Sequence, residues 1–299
     1  MRSGAQVGAR NFIEPLITQD PNPSNELDLE PNWVAMANGQ NVVFDFSLEK
    51  RLADDFSLQL ASGWTDPMCR AGAVCNNLGT SRRNRSRHRR PGKRGLTGDQ
   101  TEAGFGDLEL LVKYAIFKSD RHETRIAIGM DSYYPTGDPR AGAGTHSYLG
   151  PILMLAKGMG DLGDSGVVRY LRPFAVQGDF TYLMKAGGTQ VDVMGADADL
   201  SYEFYYLADD GAPIPRWAAA LTPFAELNWD QVVQARYGGT QPSLRLMPGI
   251  AWMTPQWQTS LAAIVPLNRA TVPNYHQGVF AMLSLTLDQI FPQFGWQPL

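Results

Sequence analysis

The feature that most narrows what this chain can become is a period of two. Between 42 and 49, Val42, Phe44, Phe46 and Leu48 alternate with Val43, Asp45, Ser47 and Glu49. An extended strand with that order carries one oily face and one polar face. The alternation returns at 56–64, 108–116, 126–130, 174–182, 198–204, 225–229 and 257–265, and more weakly near 26–36, 147–157, 244–253 and 278–288. No helical period competes over a long window. The segments are about ten residues long and bounded by turn residues, Asn38-Gly39 giving the strongest hairpin signal. The pattern predicts about twelve antiparallel strands in one continuous sheet.

An open sheet of that size leaves two edges exposed to pairing with other chains, and closure removes both. The expected fold is therefore all-β: a closed antiparallel up-and-down barrel, with 26–291 as a single barrel domain and 66–103 as a long outer loop. Residues 292–299 read as a C-terminal tail. The first 25 residues, broken by Pro15, Pro21 and Pro23, read as a periplasmic tail or a plug, a loose tail being the simpler expectation.

Alternation alone does not say which face looks inward. Three features favour the oily face outward, making the barrel a transmembrane one. Formal charges occupy the middle of the polar face. Trp64, Tyr114, Tyr134, Tyr182, Trp229 and Trp257 stand at the ends of the oily face, as in the aromatic girdles of membrane barrels. Strands of about ten residues match a tilted span of the bilayer's apolar slab. The opposite choice, a soluble barrel or sandwich around an apolar ligand, asks twelve strands to be filled by side chains alone, more than the eight that side chains readily fill. With 43% hydrophobic and 19% charged residues the chain is too apolar for disorder. It nonetheless has no apolar run of about 18 residues for a membrane helix. The opening Met1-Arg2-Ser3-Gly4-Ala5 shows no apolar signal stretch.

The stretch Gly104-Phe105-Gly106-Asp107-Leu108-Glu109-Leu110, followed by Lys113-Tyr114, is similar to a GxGDLxLxxKY strand opening. The next strand leaves through Tyr134-Pro135-Thr136-Gly137-Asp138, similar to an LPTGD exit, and Gly150-Pro151 through Lys157-Gly158-Met159-Gly160-Asp161 extends the match. Together these resemble the Gram-negative outer-membrane barrels of the meta-pathway phenol-degradation and transporter-like family, over about 104–183. The resemblance implies a cell outer-membrane location, lipid as a partner, and passage of small, often apolar or aromatic, compounds. It brings no catalytic residues.

Several local motifs have weaker functional readings. Gly158-Met159-Gly160-Asp161-Leu162-Gly163 fits G-x-G-x-x-G, but a dinucleotide site needs a helix next, and 164–173 offers none. Gly163-Asp164-Ser165-Gly166 looks like a nucleophile loop, but among the four histidines only His122 shares its rim. His146-Ser147 with Asp138 near the outer rim is the basis of the runner-up reading, an outer-membrane lipid-acting hydrolase. Cys69 and Cys75 could bridge in an oxidising compartment. The segment 82–94 holds eight of the 26 basic residues without interleaved aromatics; the remainder is strongly acidic, which argues against nucleic-acid binding.

The polar face gives the principal candidate site. Asp45, Glu49, Glu109, Lys113, Arg125, Asp131, Asp179, Asp197, Asp199, Glu203, Glu226, Asp230 and Arg245 should line the lumen. Such a lining sets a field for polar or cationic solutes, or pairs across the bore and seals it. The expected role is passive passage or capture of a small solute, with no cofactor, metal or covalent chemistry.

Overall fold

The computed structural model describes residues 12–36, 39–69, 102–141, 143–144, 146–163, 165–186, 192–209, 211–233, 242–268 and 277–294. Cys75 and the basic run at 82–94 lie outside them. The strands are β1 (Glu26–Met36), β2 (Gly39–Ala53), β3 (Phe56–Cys69), β4 (Gly104–Phe105), β5 (Leu108–Ser119), β6 (Thr124–Tyr134), β7 (Tyr148–Gly158), β8 (Phe174–Lys185), β9 (Asp192–Tyr202), β10 (Leu221–Val233), β11 (Ser243–Met253), β12 (Trp257–Pro266) and β13 (Gln277–Thr286). Every neighbouring pair is antiparallel. β13 pairs with β1, β1 with β2 and β2 with β3, so the sheet closes on itself. Twelve long strands form the cylinder, and β4 is a two-residue stub on β3.

The oily face points outward. Phe44, Phe46, Leu48, Leu60, Tyr114, Ile128, Leu153, Leu200, Leu227 and Leu261 are exposed, while Ser47, Glu49, Lys113, Gln177, Asp199, Glu226 and Asn228 are buried. On β7 the alternation is unbroken: Leu153 is 43% exposed and its neighbour Met154 is 0%. An inverted hydrophobic pattern of this kind is stable only where the surroundings are as apolar as the outer face. A closed barrel is also one of two backbone designs that satisfy every N–H and C=O in such surroundings. Aromatic residues ring both ends. Trp33, Trp64, Tyr134 and Trp229 lie toward the rim reached by β1's C-terminus, here called the distal rim. Tyr114, Tyr202, Trp252 and Trp257 lie toward the terminal rim, where the Trp252 and Trp257 rings meet at a tilt with centroids 6.3 Å apart.

Three sequence expectations need correction. Phe204 does not continue the β9 alternation; it begins α1 (Phe204–Asp209), which with α2 (Arg216–Ala219) fills the β9–β10 connection, its ring edge-on to Tyr202. The strand expected at 278–288 ends at Thr286 and turns into α3 (Leu287–Ile290), followed by a 3₁₀ turn at Pro292–Phe294. β3 runs on through Cys69, so part of the segment expected as outer loop belongs to the wall.

Candidate functional site

The segment 12–25 does not hang outside the barrel. It enters at the terminal rim, rises to the middle of the lumen and returns. Phe12, Ile13 and Leu16 are buried, as are Thr18, Asp20, Pro21 and Asn25. Ile13 and Leu16 pack on an inner patch of Met247, Ala251, Ala262, Ile264, Phe280 and Met282, the least polar arc of the wall. Apolar burial draws the segment in, and its prolines prevent it from satisfying its own backbone as a helix or strand. The wall supplies the missing partners. Glu226 accepts the N–H groups of Leu16 (2.5 Å), Ile17 (3.0 Å) and Thr18 (3.2 Å) and the Thr18 hydroxyl (3.3 Å). Asp179 accepts from Gln19 N–H at 2.8 Å. Gln258 accepts from Glu14 N–H at 2.9 Å and donates to its carbonyl at 2.6 Å, in the manner of a strand neighbour. Gln177 donates to Ile13 O at 2.8 Å.

The descending limb is held near the terminal rim by a second group. Lys113 Nζ lies 2.9 Å from Glu49 Oε2 and 3.4 Å from Asn22 O, while Ser24 N–H donates to Glu49 Oε1 at 2.9 Å. Lys50 donates to Asn25 Oδ1 at 3.0 Å. The lumen is thus plugged in its terminal half by the chain's own N-terminal segment.

Above the apex of the plug lies a cavity of about 630 Å³, floored by Leu16, Ile17 and Gln19 and reaching the distal rim. Asp45, Glu109, Asp131, Asp179, Asp197, Asp230 and Arg245 line it. Glu49, Lys113, Asp199 and Glu226 lie lower, around the plug. Arg125 and Glu203 are buried close to the terminal rim, where Arg125 Nη2 contacts Asp120 at 3.1 Å. Arg245 lies 3.9 Å from Asp230 and donates to Asn228 Oδ1 at 3.2 Å, and Asn228 donates to Asp197 at 3.0 Å. Sequence reasoning missed the neutral participants Gln177, Asn228 and Gln258. They share the polar phase of the alternation, and reading that phase by polarity instead of formal charge would have found them.

The two motifs behind the family resemblance meet at the mouth. Asp107 accepts from Gly137 N–H at 3.2 Å and Gly144 N–H at 2.6 Å; Leu108 N–H donates to Thr136 Oγ1 at 2.9 Å, and Asp138 N–H to Phe105 O at 2.9 Å. Gly137 approaches so closely that a Cβ there would lie 2.5 Å from the Gly106 backbone. These bonds fold the β6–β7 loop over the cavity, and Ala141 and Ala143 become part of its lining.

The remaining motifs take plainer places. Gly158 to Gly163 is the exit of β7 and its following turn, with Gly160 N–H bonded to Glu123 at 2.8 Å; among the described residues no long helix follows. His122 Nδ1 lies 3.2 Å from Asp161, and Ser165 is exposed in the same connection. Asp161 also receives the Lys157 ammonium at 2.9 Å, which, ahead of His122, holds its carboxyl below the ordinary range. Asp138, the acid of the hydrolase reading, is engaged by the Arg140 N–H at 2.9 Å and by its guanidinium, and titrates low for that reason. His146 is exposed, and Ser147 O accepts Ala186 N–H at 2.9 Å.

No protein-family model matches the chain, nor does any curated protein. Solved structures do. The COG4313 outer membrane channel from Pseudomonas putida F1 aligns over 92% of this chain and 99% of its own, at TM-score 0.54 and 12% identity. The chain has the fold of an outer-membrane barrel. The NanC porin aligns over 87% of this chain and 98% of its own, at TM-score 0.50 and 10% identity. At such identities the likeness is one of architecture.

Proposed function

We propose that this chain is an outer-membrane barrel that captures small solutes from the outer side and passes them inward when its N-terminal segment yields. One observation carries the reading: a solute-sized cavity stands inside a barrel whose outer face is oily, and its floor is the N-terminal segment instead of wall. Ligand sites of a few hundred to a thousand Å³ suit small organic molecules. The even strand count puts the start of β1 and the end of β13 on one rim, which in outer-membrane barrels is the periplasmic one. On that reading the cavity faces outward and the plug is periplasmic. Membership in the meta-pathway phenol-degradation and transporter-like family is part of the proposal, supported by the meeting of its two motifs at the cavity mouth. The hydrolase reading gains nothing from the arrangement of Asp138, which Arg140 occupies.

Liposome swelling tests the reading. Proteoliposomes of the full chain should admit small solutes slowly, and a variant with 12–20 replaced by glycine and serine should admit them severalfold faster. Equal rates in two folded barrels would remove the plug from the mechanism, and no swelling with either would refute passage.

A further inference from the structure

We infer that the solute taken by this cavity is an organic ammonium ion with an apolar body. The inference rests on the capture reading above and names its substrate class.

The cavity wall is divided by charge. Glu30 on β1, Asp45 on β2, Glu109 on β5, Asp131 on β6, Asp179 on β8 and Asp197 on β9 form a carboxylate arc. Against it, among the described residues, stands one cationic side chain, Arg245, which is turned toward Asp230 and Asn228. The register makes the imbalance sharper. Glu30 is directly opposite Asp45, and Asp179 is directly opposite Asp197. Like charges directly across two strands are unfavourable, so the wall is held in a state that a cation improves.

Asp131 supplies a separate observation. It is 5% exposed and lines the cavity, and it shares a donor with Glu109: the Tyr133 hydroxyl is within hydrogen-bond reach of both carboxyl groups and can donate to only one at a time, while Asp131 Oδ1 has no further partner among the described residues. Its inner-face neighbour on β6 is Tyr133, which pairs in register with Glu109. A buried acceptor without a donor is costly, and a charged one is costlier. A donor carrying positive charge, reaching in from the cavity, would answer both deficits at once.

The choice among cations follows from the rest of the lining. Among the described residues no three acidic, histidine or cysteine side chains come close enough to chelate a metal ion. The carboxylates are spread along an arc, which suits a larger ion with several N–H donors. The opposite wall and floor are apolar: Ile264 on β12, Phe280 on β13, and Leu16 and Ile17 of the plug. An ammonium group against Asp131 and Glu109 leaves a hydrocarbon or aromatic body to cover those four residues. Neutral aromatics leave the carboxylate arc unanswered, and carboxylate solutes are repelled by it.

Calorimetric titration of the full-length barrel in detergent, with phenethylammonium, phenol, benzoate and Mg²⁺ as probes, tests this. Phenethylammonium should bind at least tenfold more tightly than phenol or benzoate. Asp131→Asn and Glu109→Gln, each verified as folded by heat-modifiable migration, should each weaken it tenfold or more and leave phenol unchanged. Binding of phenol or benzoate as tight as phenethylammonium would overturn the substrate class while leaving capture intact. So would Mg²⁺ displacing the amine at equimolar concentration, or affinity unmoved in both variants. Absence of binding by every probe would sink the inference and capture together.

Discussion

Glu226 should be the latch of the plug. It receives three consecutive backbone N–H groups and a hydroxyl, all from Leu16 to Thr18, so its removal attacks the apex of the segment at one point. Hydrogen bonds to a charged acceptor contribute about 1.5–3 kcal/mol each, but four on one carboxylate do not add in full. Glu226 also faces Asp199 in register, and losing one of two opposed carboxylates gives some energy back. The segment can meet water once displaced, which limits the penalty for its bare N–H groups. A net cost of about 2–4 kcal/mol is the result, and it moves the in-to-out ratio of the plug by on the order of 10²-fold. Single-channel recording of the wild type, Glu226→Gln and Glu226→Ala in planar bilayers reads this as open probability, with alanine above glutamine above wild type. An Ile17→Cys background gives a second reading, because thiol labelling from the terminal-rim side should accelerate in the same order. Unchanged open probability and labelling in a correctly inserted Glu226→Ala barrel would show that apolar burial of Ile13 and Leu16 alone holds the segment.

Four further outcomes follow from the same geometry. Lys113→Met strands Glu49, which is buried with the ammonium 2.9 Å away, and should destabilise the barrel by about 3–5 kcal/mol in urea titration; adding Glu49→Gln should recover most of that loss. Leu153→Arg puts a charge on the outward face of β7 and should cost about 2–4 kcal/mol of folding stability in liposomes, whereas no change would mean that this face does not meet lipid. Gly137→Ala drives a methyl group onto the Gly106 backbone and should release the β6–β7 loop at a cost of about 1–3 kcal/mol, seen as new protease cleavage between 136 and 146 in an intact barrel. Asp161 has a depressed carboxyl pKa because of Lys157, so its small contribution is present above the ordinary Asp range and fades as pH falls through the lower value. Hydrogen exchange in the 159–162 turn should stay slow at pH 5 and quicken only below the ordinary Asp pKa.

The wall of this barrel was readable because each strand position obeys one rule. Leu153 faces out and Met154 faces in for no reason beyond parity, and the polarity of Asp199 and Glu226 fixes which parity is which. The rule fails where the backbone stops being extended. Phe204 has the right parity for β9, but the strand ends at Tyr202 and α1 takes over. The plug was harder still. Nothing periodic marks 12–25, and its prolines suit a loose tail as well as a plug. Its position depends on partners more than 150 residues away, Asp179, Gln177, Glu226 and Gln258, and on the apolar arc of β11 to β13. Such contacts leave no local signature, since each wall residue merely looks polar and inward.

The same polar lining does two different jobs at two heights: Glu49 and Glu226 hold the plug, and the distal carboxylates face the cavity. In the terminal half Glu49 has Lys113 and Ser24, and Glu226 has three backbone N–H groups, so their charge is answered by protein and spent on holding the plug. Asp179, at the boundary, gives one oxygen to Gln19 of the plug and faces Asp197 across the strands. In the distal half the Glu30–Asp45 pair faces the cavity, and Asp131 keeps an oxygen without a partner among the described residues. A cation entering from the distal rim therefore gains at every step until it reaches Asp179, which is also where the plug is tied. Occupancy there competes for the carboxylate that Gln19 uses, so filling the cavity should loosen the floor. That coupling has a size limit: one hydrogen bond to a charged acceptor, about 1.5–3 kcal/mol, or at most on the order of 10²-fold in plug release. Asp179→Asn removes the charge the solute competes for, so phenethylammonium should no longer accelerate labelling of Ile17→Cys in that background. Acceleration that persists undiminished would mean that solute and plug communicate through the wall and not through this shared carboxylate.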